Sequence, residues 1–264
     1  MLPLPEQRHR FHSLTAQHAP GARHANDTVG AACGPIPAGC DLLRTSKTRM
    51  KTQPAVIVLA AGRGSRFLGT EHKLAQRLGG GTLLGTTLRH AIASHLQVVV
   101  VTTNRFADLA RRSVAARDVV VLPEVGDDAG LGGRLGMGHS IAAGVGARPD
   151  ASGWLVLPGD MPMVQPATLQ AVARELEHHP VVYAQHKGRR GHPVGFAAEL
   201  YSELAVLSGD EGARRLVARD PAYGVEVEDA GVLVDVDTEA DLELLRRAES
   251  ANGERLHRDE RPTI

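Results

Sequence analysis

Short unbroken runs of apolar residues alternate along this chain with longer stretches in which apolar positions recur every three or four residues. Ala55–Ala60 (AVIVLA) is such a run, and Val98–Val101, Val119–Leu122 and Trp154–Leu157 are others. A run without polar interruption predicts a strand covered on both faces, because a strand with one wet face alternates. Between the runs, Leu83–Ser94, Phe106–Ala115, Ser140–Val145 and Pro166–His178 carry helical spacing, and Pro166 suits a first helical turn. Strand and helix in alternation require crossover connections. They predict an α/β fold: a Rossmann-like, mixed but mainly parallel sheet with helices on both faces. In the last third, Val181–Ala184, Val194–Phe196, Val225–Val227 and Val232–Val236 read as short strands. Thr238 reads as an N-cap and Glu239–Ala248 as a closing helix.

This pattern begins only after residue 53 and ends near residue 248. One domain over 54–248 is therefore expected, with 1–53 a disordered N-terminal extension and 249–264 a disordered C-terminal tail. Met50-Lys51 immediately precedes the first strand and reads as an alternative start. The only cysteines, Cys33 and Cys40, lie in the extension. Two cysteines form neither a disulfide framework nor a four-ligand zinc site, and free thiols fit a reducing, cytoplasmic setting. Lysine plus arginine equal aspartate plus glutamate at 30 each, so nothing in the overall charge points to nucleic acid. No apolar run reaches the roughly 20 residues of a membrane span.

In open α/β sheets ligands gather beyond the carboxyl ends of the strands, so the loops after the strands hold the candidate chemistry. The first strand runs into Leu59-Ala60-Ala61-Gly62-Arg63-Gly64-Ser65-Arg66-Phe67-Leu68-Gly69, and Lys73 follows. Small residues let backbone N–H groups approach a phosphate, Arg66 can chelate its oxygens, and Lys73 adds a point charge. Gly64 and Gly69 have the spacing of a Walker A loop, but Thr70-Glu71 follow where it needs Lys and Ser or Thr. A dinucleotide fingerprint fails as well, because the second strand ends Thr102-Thr103-Asn104 without an acid. A bare strand-to-helix turn is the plainer alternative, but it needs neither Arg nor Lys.

Strand Trp154–Leu157 ends in Pro158-Gly159-Asp160-Met161-Pro162. A carboxylate at the end of a buried strand is costly without a partner, and a hard divalent cation bridging phosphates is a natural one. Near the chain's end, Asp235 and Asp237 flank Val236 and on a strand would share a side; both are candidate ligands, although Asp237 could instead cap the closing helix. The glycine-rich stretch Gly126–Gly138 precedes His139-Ser140 and could wrap a flat base or a ribose. Ser140 could also be a helix cap. Basic Lys187–Arg190, a loop suited to a phosphorylated acceptor or simply a solvated hairpin tip, leads into Gly191-His192-Pro193.

The segment LAAGRGSRF with HKL resembles the signature Leu-Ala-Ala-Gly-x-Ser/Gly-x-Arg-Met/Phe-Gly…Lys-Leu of nucleotidyltransferases with the glycosyltransferase-A-like fold. Gly64 stands where serine is frequent, and Leu68 moves the last glycine one place later. LPGDMP resembles that group's Mg²⁺-binding aspartate segment. Asp235-Val236-Asp237-Thr238-Glu239-Ala240-Asp241 resembles its Asp-x-Asp-Thr-Pro-Glu-Asp, with Glu239 in place of proline. Gly136-Met137-Gly138-His139-Ser140, Gly191-His192-Pro193 and Gly209-Asp210-Glu211-Gly212-Ala213-Arg214 follow in the order found in molybdenum cofactor cytidylyltransferases. In motif order the resemblance covers residues 54–248.

The resemblance implies that Leu59, Ala60, Ala61, Gly62, Arg63, Gly64, Arg66, Lys73, Gly136 and Ser140 hold the nucleotide. It implies that Arg66, Lys73 and Asp160 are catalytic, that Asp160, Asp237 and Asp235 bind Mg²⁺, and that Gly191, His192 and Pro193 face the acceptor. The implied reaction moves CMP from CTP to a phosphorylated pterin-type molybdenum cofactor, with transient contact to a molybdenum oxidoreductase. The second alanine of Leu59-Ala60-Ala61-Gly62 favours CTP, since GTP users in the group carry Leu-Ala-Gly-Gly. A guanylyltransferase of the same pathway, another NDP-sugar- or alcohol-forming nucleotidyltransferase, and a non-catalytic cofactor-carrying chaperone are the competing readings.

Deleting residues 1–49 is expected to leave the melting temperature and turnover unchanged, because the first strand begins after Met50. Loss of soluble, folded protein on deletion would show that the extension is integral.

Overall fold

The computed structural model describes residues 52–65, 67, 71–124, 136–209, 216–218 and 221–259. The cysteines and the N-terminal extension lie outside them, as do Arg66, residues 125–135 of the glycine-rich stretch and Asp210–Arg215.

The expected strands build a seven-stranded sheet in the order β5-β4-β1-β6-β8-β7-β9. Its members are β1 (Ala55–Ala60), β4 (Gln97–Thr103), β5 (Val119–Leu122), β6 (Gly153–Pro158), β7 (Val181–His186), β8 (Arg189–Ala197) and β9 (Ala222–Glu226). A two-stranded ribbon, β2 (Arg77–Leu78) with β3 (Gly81–Thr82), stands apart. Pairs β1–β4, β1–β6, β4–β5 and β7–β9 are parallel, and only β8 runs antiparallel to its neighbours β6 and β7. The fold is thus the mixed, mainly parallel α/β sheet that the apolar runs predict.

Strand alternation explains the two cores. Val56, Val58, Val98, Val100, Leu155 and Leu157 face one side, where α1 (Leu83–Ala93), α2 (Asn104–Ser113) and α4 (Pro166–Glu175) supply Leu84, Leu88, Phe106, Leu169 and Val172. Ala55, Ile57, Val99, Val101, Trp154 and Val156 face the other side, under α3 (Met137–Gly146) and the short α5 (Tyr201–Leu204). Both faces being covered is why these strands read as unbroken apolar runs rather than as alternation. No helix among the described residues is long and apolar enough to cross a membrane.

Four expectations need correction. Val232–Val236 is not a strand: Ala230–Leu233 forms a 3-10 turn, followed by extended chain outside the sheet. The Asp229 carboxylate accepts from Gly231 N–H at 2.9 Å, which winds the chain there. Strand β8 starts at Arg189, five residues before the expected Val194, because Lys187 and Gly188 at φ 52° and 72° form the two-residue turn of a β7–β8 hairpin. Helix α3 starts at Met137, so Gly136 and not Ser140 is its N-cap. The closing helix, α6 (Glu239–Asp259), runs well past Ala248, so the stretch to Asp259 is not a disordered tail. Its extension is strongly charged, with Glu249, Glu254, Arg255, Arg258 and Asp259, has a single glycine, Gly253, and meets no proline before Pro262.

Helix α3 lies so close to the sheet that a Cβ on Gly144 would come within 2.3 Å of Ile57 Cγ2 and 3.0 Å of Val101 Cγ2. Gly144→Val is therefore expected to lower stability by about 1–3 kcal/mol through overpacking. Urea denaturation checks this, and an unchanged midpoint would show that the helix moves away freely.

Candidate active site

The carboxyl ends of β1, β5 and β6 border a cleft of about 490 Å³. Its walls come from the loop after β1 (Ala61 to Ser65), the turn bearing His72 and Lys73, Leu122 and Pro123 beyond β5, the start of α3, and Pro158, Asp160 and Asp237. Of the predicted nucleotide residues, Leu59, Ala61, Gly62, Arg63, Gly64, Lys73, Gly136 and Ser140 line it. Ala60 is a correction. It is buried in the core on the opposite face of β1, because successive side chains on a strand point to opposite sides. Arg66 lies outside the described residues.

At the cleft floor Lys73 joins the two aspartate segments. Its Nζ donates to Asp160 Oδ2 at 2.6 Å and to Asp237 Oδ1 at 2.9 Å. All three side chains are largely enclosed, at 11%, 18% and 19% exposure. Burial alone would lower the Lys73 pKa, but hydrogen bonding and charge from Asp160, and then from Asp237, outweigh it and raise the pKa. The lysine is a firm cation at neutral pH.

The backbone explains why these groups meet. Gly159 N–H donates to Leu59 O at 2.8 Å, continuing the β1–β6 pairing past the strand end, while Thr87 Oγ1 donates to Gly159 O at 2.9 Å. Asp160 is thereby held beside the loop after β1. Val236 N–H donates to Asp160 O at 3.0 Å, which brings Asp237 to the same place. The two roles considered for Asp237 separate here. Thr238 Oγ1 accepts from Asp241 N–H at 3.2 Å, and Asp241 Oδ2 accepts from Thr238 N–H at 2.8 Å. This reciprocal cap joins Thr238 to Asp241, while the Asp237 side chain bonds Lys73. Asp235 is exposed and does not line the cleft, so it is not brought together with the pair.

One carboxylate oxygen stands out. Asp160 Oδ1 is buried without a hydrogen-bond partner, and a buried anionic oxygen in that state is costly. The described residues contain no group of three or more His, Cys, Asp and Glu side chains able to hold a metal by themselves. Two carboxylates with one open oxygen fit a small hard cation that takes its remaining ligands from phosphate and water. They do not fit a structural zinc site.

Gly191, His192 and Pro193 lie on β8 and do not line the cleft. A Cβ on Gly191 would approach Val232 O to 2.2 Å, so glycine is needed for β8 to pass the 230–233 turn. Pro193 is buried. His192 Nδ1 is buried without a partner, like Asp160 Oδ1. Burial lowers the His192 pKa, and the pull of Asp160, a backbone bond at Val156 and the pull of Asp235 only partly offset this. The ring is therefore neutral and sits on the Asp160 side of the floor. Arg190 stacks over Tyr183 at 3.9 Å, and Arg189 is exposed in the first position of β8.

The sequence reading missed His72. Its Nδ1 accepts from Leu74 N–H at 3.2 Å, and its Nε2 lies 3.0 Å from Gly62 O. Its only sequence signal is adjacency to Lys73.

A family model described as MobA-like NTP transferase domain matches residues 56–225. The crystal structure of Rv0371c from Mycobacterium tuberculosis superposes with a TM-score of 0.62 at 30% identity, covering 74% of this chain and 98% of that one. The same protein has been solved in complex with manganese, with a TM-score of 0.57 to this chain. The purine catabolism protein PucB of Bacillus subtilis is 29% identical over 211 residues, 74% of this chain and 96% of its own length. The bifunctional protein GlmU of Alkalilimnicola ehrlichii is 34% identical over 131 residues, 48% of this chain. The match spans only 26% of that GlmU, about a quarter of its length. The matched segment 56–225 takes in the loop after β1, Lys73, Asp160 and most of the sheet, and on that basis the chain belongs to the MobA-like NTP transferase domain family of nucleotidyltransferases.

Proposed function

We propose that this protein is a Mg²⁺-dependent cytidylyltransferase that transfers CMP from CTP to the terminal phosphate of a molybdopterin-type molybdenum cofactor and releases pyrophosphate. The observation that carries the transferase chemistry is the convergence of Lys73, Asp160 and Asp237 at the floor of a cleft whose rim is the small-residue loop after β1.

An acceptor phosphate oxygen attacks the α-phosphorus, the bond from that phosphorus to the bridging oxygen of the β-phosphate breaks, and pyrophosphate leaves. The nucleophile is already ionised, so the reaction needs no general base. It depends on in-line placement and charge neutralisation. Backbone N–H groups of residues 61–65, together with Arg66, bind the triphosphate. Asp160 and Asp237 would hold a divalent cation, which would supply neutralisation of phosphate charge. With their charge met in that way, Lys73 would be free to turn its ammonium to the phosphates. The acceptor-side assignment of Gly191, His192 and Pro193 rests on the family resemblance alone, since none of them lines the cleft. The manganese complex of Rv0371c supports use of a divalent ion in this fold.

The choice of CTP rests on Ala61, the first residue past β1, which lines the same cleft as Gly136 and Met137. A methyl group there narrows the space for a base. Size discrimination of this kind is worth about 1–3 kcal/mol. A guanylyltransferase is the competing reading. The deciding experiment is pyrophosphate release with CTP and GTP in competition, with and without molybdenum cofactor. Preference for CTP with cofactor present is expected. Strong preference for GTP would replace the reading, and cofactor-independent use of a sugar phosphate would remove the acceptor assignment.

Two substitutions test the floor. Asp160→Asn is expected to abolish turnover while leaving the fold intact by circular dichroism; near-normal turnover in excess Mg²⁺ would sink the metal role. Lys73→Met removes the cation that competes for both carboxylates. It is expected to raise Mn²⁺ affinity without nucleotide by about tenfold while turnover is lost. Electron paramagnetic resonance of free Mn²⁺ reads the affinity, and unchanged binding would show that Lys73 and the metal do not share these oxygens.

A further inference from the structure

His72 bridges two pieces of chain that the proposed chemistry needs at a fixed separation. One is the loop after β1, at Gly62; the other is the 3-10 turn Lys73–Ala75, whose first residue reaches Asp160 and Asp237. The His72 ring touches both. Nδ1 accepts from Leu74 N–H at 3.2 Å, so that nitrogen carries no hydrogen. Nε2 lies 3.0 Å from the Gly62 carbonyl oxygen, which can only accept, so Nε2 must bear the hydrogen. The two bonds thus select one neutral tautomer and use both ends of the ring.

The surroundings hold the ring in that orientation. Phe106 of α2 packs against it with centroids 4.9 Å apart at an interplanar angle of 64°. On the other side the ring lies under Gly64, where a Cβ would approach Nε2 to 3.0 Å. Gly64 has φ +61° and its carbonyl accepts from Phe67 N–H at 3.0 Å, so the loop turns directly over the imidazole. Burial lowers the His72 pKa, as do the charges of Arg105 and Lys73 to a smaller extent, while backbone bonds at Gly62 and Arg63 oppose them. The net direction favours the neutral form that the bonding requires.

We infer that His72 is a positioning residue for nucleotide binding: its Nε2–H bond to Gly62 sets the phosphate loop at the right separation from the Lys73 ammonium. The inference rests on the nucleotide reading of the cleft. His72 acts through the loop and not on the reacting atoms, so its loss weakens nucleotide binding more than it slows the bound complex.

Three substitutions separate the ring's two bonds. Glutamine places an N–H near the position of Nε2 and so keeps the bond to Gly62. Asparagine places an acceptor near the position of Nδ1 and keeps only the bond to Leu74. Alanine keeps neither. Calorimetric titration with CTP and with GTP in Mg²⁺ is expected to show His72→Ala and His72→Asn about tenfold weaker than wild type, with His72→Gln within about twofold. Values of kcat should change by less than about threefold and melting temperatures should match. Long-range ¹H–¹⁵N spectra of the free protein should place the ring hydrogen on Nε2. The inference is overturned by a hydrogen on Nδ1, by His72→Ala binding as wild type does, by His72→Gln binding as poorly as His72→Ala, or by a kcat that falls as far as affinity. Wild-type protein that bound neither nucleotide would overturn the reading of the cleft itself, and this role with it.

Discussion

The Lys73 ammonium lies between two carboxylates that reach it from different parts of the chain, and the arrangement of the cleft depends on that bridge. Asp160 follows the central strand β6, and Asp237 precedes the closing helix α6. Both are mostly enclosed, and two enclosed carboxylates at one point repel unless a cation lies between them. Lys73 meets that demand at 2.6 Å and 2.9 Å. The backbone bond from Val236 to Asp160 then fixes the closing segment against the sheet. One positive charge therefore does a structural job for the C-terminal third of the fold while standing where phosphates and a divalent ion are proposed to bind.

This double duty bears on specificity of assembly. A metal ion entering alone must displace the lysine and leaves its ammonium, largely buried, without an anionic partner, which is unfavourable. A metal ion entering with a triphosphate brings the replacement partner. The same three residues could then exchange partners without leaving any charge unpaired, and the ion would also give the buried, unpartnered Asp160 Oδ1 a partner. Charge balance at the floor therefore favours the proposed nucleotide and cation binding together over the cation binding alone.

Much of this was legible in the sequence where a single local rule dominates. Unbroken apolar runs identified β1, β4, β5 and β6 because both faces of the sheet are covered, and acid or small residues directly after those runs located the cleft. The failures have a common cause in contacts remote in sequence. Val232–Val236 has strand-like composition, yet the Asp229 side chain winds its start, and the same carboxylate accepts from Gln165 N–H and Thr168 Oγ1 at the head of α4. Ser140 resembles a cap, but α3 begins earlier, where Gly138 N–H donates to Gly209 O at 2.7 Å. The cap at Thr238 was legible, and its partner is Asp241, a pairing that spacing alone did not single out over Asp237. His72 carried no signal beyond its adjacency to Lys73, since its value lies in contacts with Gly62, Gly64 and Phe106 that only folding creates.

The two histidines near the floor complete the electrostatic picture. Burial is the largest influence on both and lowers both pKa values from 6.5, so above that pH the rings are neutral. A catalytic base for an acyl or hydroxyl nucleophile would need a ring poised to gain a proton near neutral pH, and neither ring is placed for that. The bonds at His72 require the neutral form, and His192 is enclosed beside Asp160 with Nδ1 unpaired. The same burial that keeps the histidines neutral leaves Lys73, raised by its carboxylate partners, as the cation of the floor. That suits a reaction between phosphates that are already ionised, in which charge must be neutralised and no proton has to move.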